Sequence, residues 1–105
     1  MEEKGNLIPN CIDICGINFP VIMVNPGEID DSLGRFKTVP ASIMIRNDAA
    51  SDIQLSTLLH EIIEVINWQF EIGLEHKIIS TLSSALFQAL KTNNIRFQGG
   101  MDGLP

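Results

Sequence analysis

The hydrophobic period changes once along this chain, near residue 50, and that change constrains the fold more than any other feature. After it, Leu55, Leu58, Leu59, Ile62, Ile63, Ile66 and Phe70 recur at spacings of three and four, the repeat of one helical face. Ser51 and Gln54 have the form of a capping box that starts this helix, and Gly73 is placed to end it near residue 72. A second helix is expected from about Glu75 to Thr92, with Ile78, Ile79, Leu82, Ala85, Leu86, Ala89 and Leu90 as its buried side. Asn93 and Asn94 supply its stop signal.

Before residue 50 the pattern is one of strands and turns. Ile12 to Cys15 is a short apolar-rich run, and Gly16-Ile17-Asn18 is a turn candidate. Phe19 to Val24 follows, with Pro20 placing it at a sheet edge or starting it at Val21. The acidic stretch Glu28–Asp31 reads as a solvated loop, Leu33 to Lys37 as a short strand. Ala41 to Arg46 alternates clearly, with Ile43 and Ile45 on one face. The expectation is an α+β fold: three or four short antiparallel strands, then two long helices. One domain covers residues 1–98, and residues 99–105, which lack periodicity, form a flexible tail.

Composition narrows the function. The 105 residues carry a net charge of -6, and their seven Lys and Arg are scattered without forming a stripe. A nucleic-acid partner is therefore not expected. No apolar run approaches the roughly 18 residues that span a bilayer, and the polar start Met1-Glu2-Glu3-Lys4 is unlike a signal peptide. These features point to the cytoplasm. Cys11 and Cys15, four apart, do not have the spacing of a zinc ribbon or a thioredoxin-like site. They are expected to be buried structural thiols, and ligand partners for them are not evident nearby.

Chemistry is concentrated in the first helix. His60 and Glu64 are four apart and share one side of it, with Glu61 beside them. A zinc ion needs three N, S or O ligands and keeps a fourth position open, and residues at i and i+4 of a helix supply two of them. A glutamate at i+1 leans over the open position as a general base, which is the logic of the H-E-x-x-H motif. Here Glu64 stands where the second histidine would be, and a carboxylate is a legitimate ligand. The other histidine of the chain, His76, starts the second helix, and the turn at Gly73-Leu74-Glu75 would bring it back to this face. A His60, Glu64, His76 metal site with Glu61 as general base follows. The same charges could instead form an ordinary solvated face. Their setting among Leu58, Leu59, Ile62, Ile63, Val65 and Ile66 argues for a partner, because charge sunk among aliphatic groups needs one.

Thr57-Leu58-Leu59-His60-Glu61-Ile62-Ile63-Glu64-Val65-Ile66-Asn67 resembles the zinc helix of small phage and prophage proteins related to the ImmA/IrrE-type metallopeptidases. The resemblance spans about residues 14–97. Gly16 to Val21 resembles the family's opening hairpin, Leu33–Phe36 and Ser42–Ile45 its strands before the helix, and Ser84–Asn93 its closing helix. It implies a minimal zincin-like fold, a Zn2+ cofactor, a protein or peptide substrate, and hydrolysis by metal-activated water. The family has a second histidine where Glu64 stands and an acidic ligand in the next segment. This chain has the two types exchanged, which keeps two histidines and one carboxylate. Peptide hydrolysis also needs an oxyanion stabiliser, for which Arg35, Asn67 or backbone N–H groups are the candidates. The alternatives are a catalytically inactive zincin-type fold used to bind a protein, and a metal-stabilised structural module. The oligomeric state is not legible.

Overall fold

A computed structural model describes residues 8–95. Five strands, β1 (Cys11–Ile14), β2 (Ile17–Val24), β3 (Glu28–Asp31), β4 (Gly34–Thr38) and β5 (Ala41–Arg46), precede two helices, α1 (Ser51–Gln69) and α2 (His76–Thr92). The fold is α+β, and four strands form one sheet in the order β1-β2-β5-β4. The expected tail, residues 99–105, lies outside the described residues.

The sheet is not purely antiparallel as the sequence suggested. β1 and β2 form an antiparallel hairpin, and so do β4 and β5, but β2 and β5 run parallel with Val21 opposite Ile43. The reason lies in the connection. β3 and β4 intervene, so β5 returns beside β2 in the same direction. The acidic stretch Glu28–Asp31 is itself a strand, held outside the main sheet and anchored by Ile29, which is 1% exposed.

The β1–β2 turn is Cys15-Gly16, one residue earlier than expected. Both have positive φ, 50° and 95°, the signature of a two-residue hairpin turn that matches strand twist. The Asp13 carboxylate accepts the Gly16 N–H at 2.9 Å. Both cysteines are free and exposed, which corrects the expectation of buried thiols. Cys15 sits in the turn and Cys11 at the start of an edge strand.

Helix α1 lies across one face of the sheet. Leu58 and Val65 join Ile14, Phe19, Ile43 and Ile45 in the core, with Ile62 and Ile66 packed against them. α2 packs back on α1, so α1 is covered on two sides, as its broad apolar surface requires. The capping box does not form: Ala50 is the N-cap, and the Gln54 amide instead donates to the carbonyls of Arg46, Asn47 and Ala49. α1 ends before Gly73. The Glu71 N–H bonds to the Trp68 carbonyl and the Ile72 N–H to the Asn67 carbonyl, with Glu71 at φ 51°. That is a Schellman ending with glutamate in the position glycine usually fills. α2 ends the same way at Asn94, φ 58°, as the Asn93-Asn94 stop signal indicated.

The buried side of α2 is the expected one only in part: Ile79 is buried as expected, and Ala89 and Leu90 are half-buried. Ile79 and Ser83 are its buried residues, while Ile78, Leu82 and Leu86 are exposed. Phe70, the last residue of the expected stripe, is 59% exposed, and Trp68 is 46% exposed with its ring tilted near Phe36, centroids 6.3 Å apart. Among the described residues, no helix is long and apolar enough to cross a membrane.

Candidate metal centre

The α1–α2 turn decides the site. Asn67 clamps it, accepting the Leu74 N–H at 2.8 Å and donating to the Leu74 carbonyl. This brings the first residue of α2, His76, back against α1. The three expected ligands converge. Glu64 Oε2 lies 3.2 Å from His60 Nε2 and 3.0 Å from His76 Nδ1. One donor atom from each of the three residues lies within 4.8 Å of the others, so the group could hold a metal ion. Tetrahedral ligands about 2.0–2.1 Å from zinc sit roughly 3.3 Å apart, and both histidine–glutamate separations match that spacing. The two histidine rings meet edge to face with centroids 5.0 Å apart, and the His76 side chain is 74% exposed.

Electrostatics suit a cation. Burial holds the His60 imidazole below its usual pKa; Glu64 pulls it back up and His76 pushes it further down. A neutral imidazole is the form that binds metal. Glu61 is 6% exposed, and among the described residues its carboxylate makes no hydrogen bond. Burial first, then the Glu64 charge, raise its pKa to about 7, against a lowering by Arg35. His60, Glu61, Glu64 and His76 all line a single cleft of about 510 Å³ between β4, α1 and α2.

Two residues that sequence reasoning did not single out complete the centre. Ser83, 2% exposed, places its Oγ 3.4 Å from His60 Nδ1 and 3.1 Å from the Ser80 carbonyl. Ser83, His60 and Glu64 thus follow the order hydroxyl, imidazole, carboxylate, and all three line the cleft. The available signal was the stripe His76, Ser80, Ser83, Ser84 along one face of α2. Gly34 is the second. A Cβ there would stand 2.5 Å from Thr57 Cγ2, 3.2 Å from the Met44 carbonyl and 3.3 Å from Glu61 Oε2. Only glycine lets β4 lie this close to α1.

Gly34→Ala is therefore expected to destabilise the fold by about 1–3 kcal/mol, the range for overpacking. Urea unfolding measures it, and the double variant with Thr57→Ser should recover most of the loss by removing the clashing methyl. A Gly34→Ala protein as stable as the parent would refute the close approach.

The side-chain candidates for an oxyanion stabiliser both have partners in the structure. Arg35 lines the cleft and its charge acts on Glu61, while Asp30 Oδ2 holds its guanidinium at 2.7 Å. Asn67 is the clamp just described. Backbone groups are the further candidates. The Arg46 N–H bonds to the Leu33 carbonyl, so along β4 the residues bonded to β5 are Arg35 and Lys37. The N–H and C=O groups of Gly34 and Phe36 then point to the open sheet edge. Comparison of the chain with known protein families, characterised proteins and solved structures gives no match.

Proposed function

We propose that the protein is a minimal zinc-dependent hydrolase of the zincin type, acting on peptide bonds. The convergence of His60 Nε2, Glu64 Oε2 and His76 Nδ1 carries this reading. Two imidazoles and one carboxylate suit zinc and leave one tetrahedral position open. A zinc ion held there supplies a Lewis acid for a substrate carbonyl and acidifies water.

The chain's own residues do the rest. Glu61, which lines the same cleft, takes a proton from the attacking water on its carboxylate and delivers it to the leaving amine nitrogen. The free edge of β4 supports a peptide as substrate, because the main-chain groups of Gly34 and Phe36 can pair with an extended chain laid alongside. A backbone N–H there is also a candidate donor for the developing oxyanion.

A second reading, a metal-tied structural module, draws on the ligands being divided between α1 and α2. The two diverge on Glu61→Gln. If the protein is a hydrolase, zinc-loaded parent cleaves members of a peptide library, and the variant keeps its zinc while its rate drops about 10²–10⁴-fold. Zinc-loaded parent that cleaves nothing in the library, with Glu61→Gln indistinguishable from it, leaves the module.

A further inference from the structure

The contact between Ser83 and His60 goes beyond holding two helices together. We propose that Ser83 is a positioning residue that lets His60 exchange one ring tautomer for the other when a metal is bound. The inference rests on the metal reading of His60, Glu64 and His76.

The imidazole has two different neighbours. Its Nε2 faces the Glu64 carboxylate at 3.2 Å, and its Nδ1 faces the Ser83 hydroxyl at 3.4 Å. A neutral imidazole carries one proton, so one nitrogen donates and the other accepts. Without metal, a proton on Nε2 makes a charge-assisted hydrogen bond to Glu64. Nδ1 must then accept, and the Ser83 O–H donates to it. With metal on Nε2, the proton has to sit on Nδ1, and Nδ1 becomes a donor. A carbonyl could serve only the second state and an ammonium only the first.

A hydroxyl serves both, because it can donate and accept. Ser83 also has somewhere to put its own proton in the second state, since the Ser80 carbonyl lies 3.1 Å from the same Oγ. The ring stays neutral throughout: the proton lost from Nε2 is matched by one gained at Nδ1 through solvent. Removing the hydroxyl of Ser83, which is 2% exposed, takes this partner from Nδ1–H in the metal-bound state.

The test compares the parent with Ser83→Ala and Ser83→Thr. Zinc affinity is measured by competition with a chromogenic chelator, and the His60 ring nitrogens are observed by 15N NMR with and without zinc. Ser83→Ala is expected to weaken zinc about 10–100-fold, the range for outer partners of a ligating histidine. Ser83→Thr, which keeps the hydroxyl, should restore most of the affinity. In metal-free protein the His60 Nδ1 resonance should move on Ser83→Ala, reporting the lost donor. A purely structural role would lower the metal-free melting temperature and leave affinity and resonance unchanged, and that result overturns the proposal. A parent that takes up no zinc overturns the metal reading and the ligand role with it. The metal-free Nδ1 shift then separately decides whether Ser83 directs the ring.

Discussion

At pH 8 and without metal, Glu61→Gln should be more stable than the parent, by up to about 3 kcal/mol. The Glu61 carboxyl has a folded pKa of about 7 against 4.5 in an open chain, chiefly because burial disfavours its charged form. Between these values the folded state holds more protons than the unfolded one, so stability falls as pH rises from about 4.5 to about 7 and levels off above. The full span is about 2.5 pH units, each worth 1.36 kcal/mol. Glutamine has the same shape and no charge to bury. The advantage of the variant should therefore vanish below pH 4.5, where the parent becomes protonated in both states. His60, with its lowered pKa, pulls stability down in acid in both proteins, so the difference between them isolates Glu61. Urea melts at several pH values measure it. Saturating zinc should shrink the gap, since a nearby dication favours the carboxylate. Equal stabilities across the range would show that Glu61 is not buried as described.

The second large effect concerns the ligands. His60→Ala and His76→Ala should both lose stoichiometric zinc. Structural zinc sites are worth about 10–16 kcal/mol at neutral pH, so one ligand of about four accounts for roughly 3 kcal/mol, on the order of a hundredfold in affinity. The loss should be larger for His60 than for His76. His60 is packed, with a 17% exposed side chain, and held at both nitrogens, whereas His76 is 74% exposed and must give up rotamer freedom to bind. Elemental analysis of untagged protein and chelator competition give both quantities. Zinc at a thousand times its dissociation constant adds about 4 kcal/mol of stability, which in a domain of this size raises the melting temperature by roughly 15–30 °C. A parent without zinc after supply at neutral pH, or His60→Ala retaining one zinc per chain, would sink the site.

The helices and the ligand triad were readable because both rest on local periodicity. Positions i and i+4 of one helix meet whatever the rest of the chain does, so His60 and Glu64 could be paired from sequence. His76 could be added because a short turn joins two helices. Strand β5 was read at its observed bounds for the same reason, its alternation being undisturbed. What was not readable depended on distant partners. The direction of β5 relative to β2 follows from a connection whose path no local pattern encodes. Part of the buried side of α2 was misread because apolar content alone ranked Leu82 and Leu86 above Ser83, whereas packing against α1 chose Ser83 to serve His60. Gly34 matters only because Thr57 and Glu61 approach it from another element. The exposure of Cys11 and Cys15 followed from a turn register that composition does not fix.

The parallel seam between β2 and β5 also orders events in time. The β1–β2 and β4–β5 hairpins, and the α1–α2 pair, close over short stretches of chain and can form early. The seam joins positions 22 residues apart, as in the Asn47–Asn25 side-chain bond at its end, and its entropy must be lost before its contacts are gained. It is the natural rate-limiting closure. Truncating Val21 or Ile43 should then slow refolding, while truncating Ile79 in α2 should mainly speed unfolding. The metal centre lies between α1 and α2, away from that seam. It would therefore act chiefly on how long the folded state lasts and little on how fast it is reached.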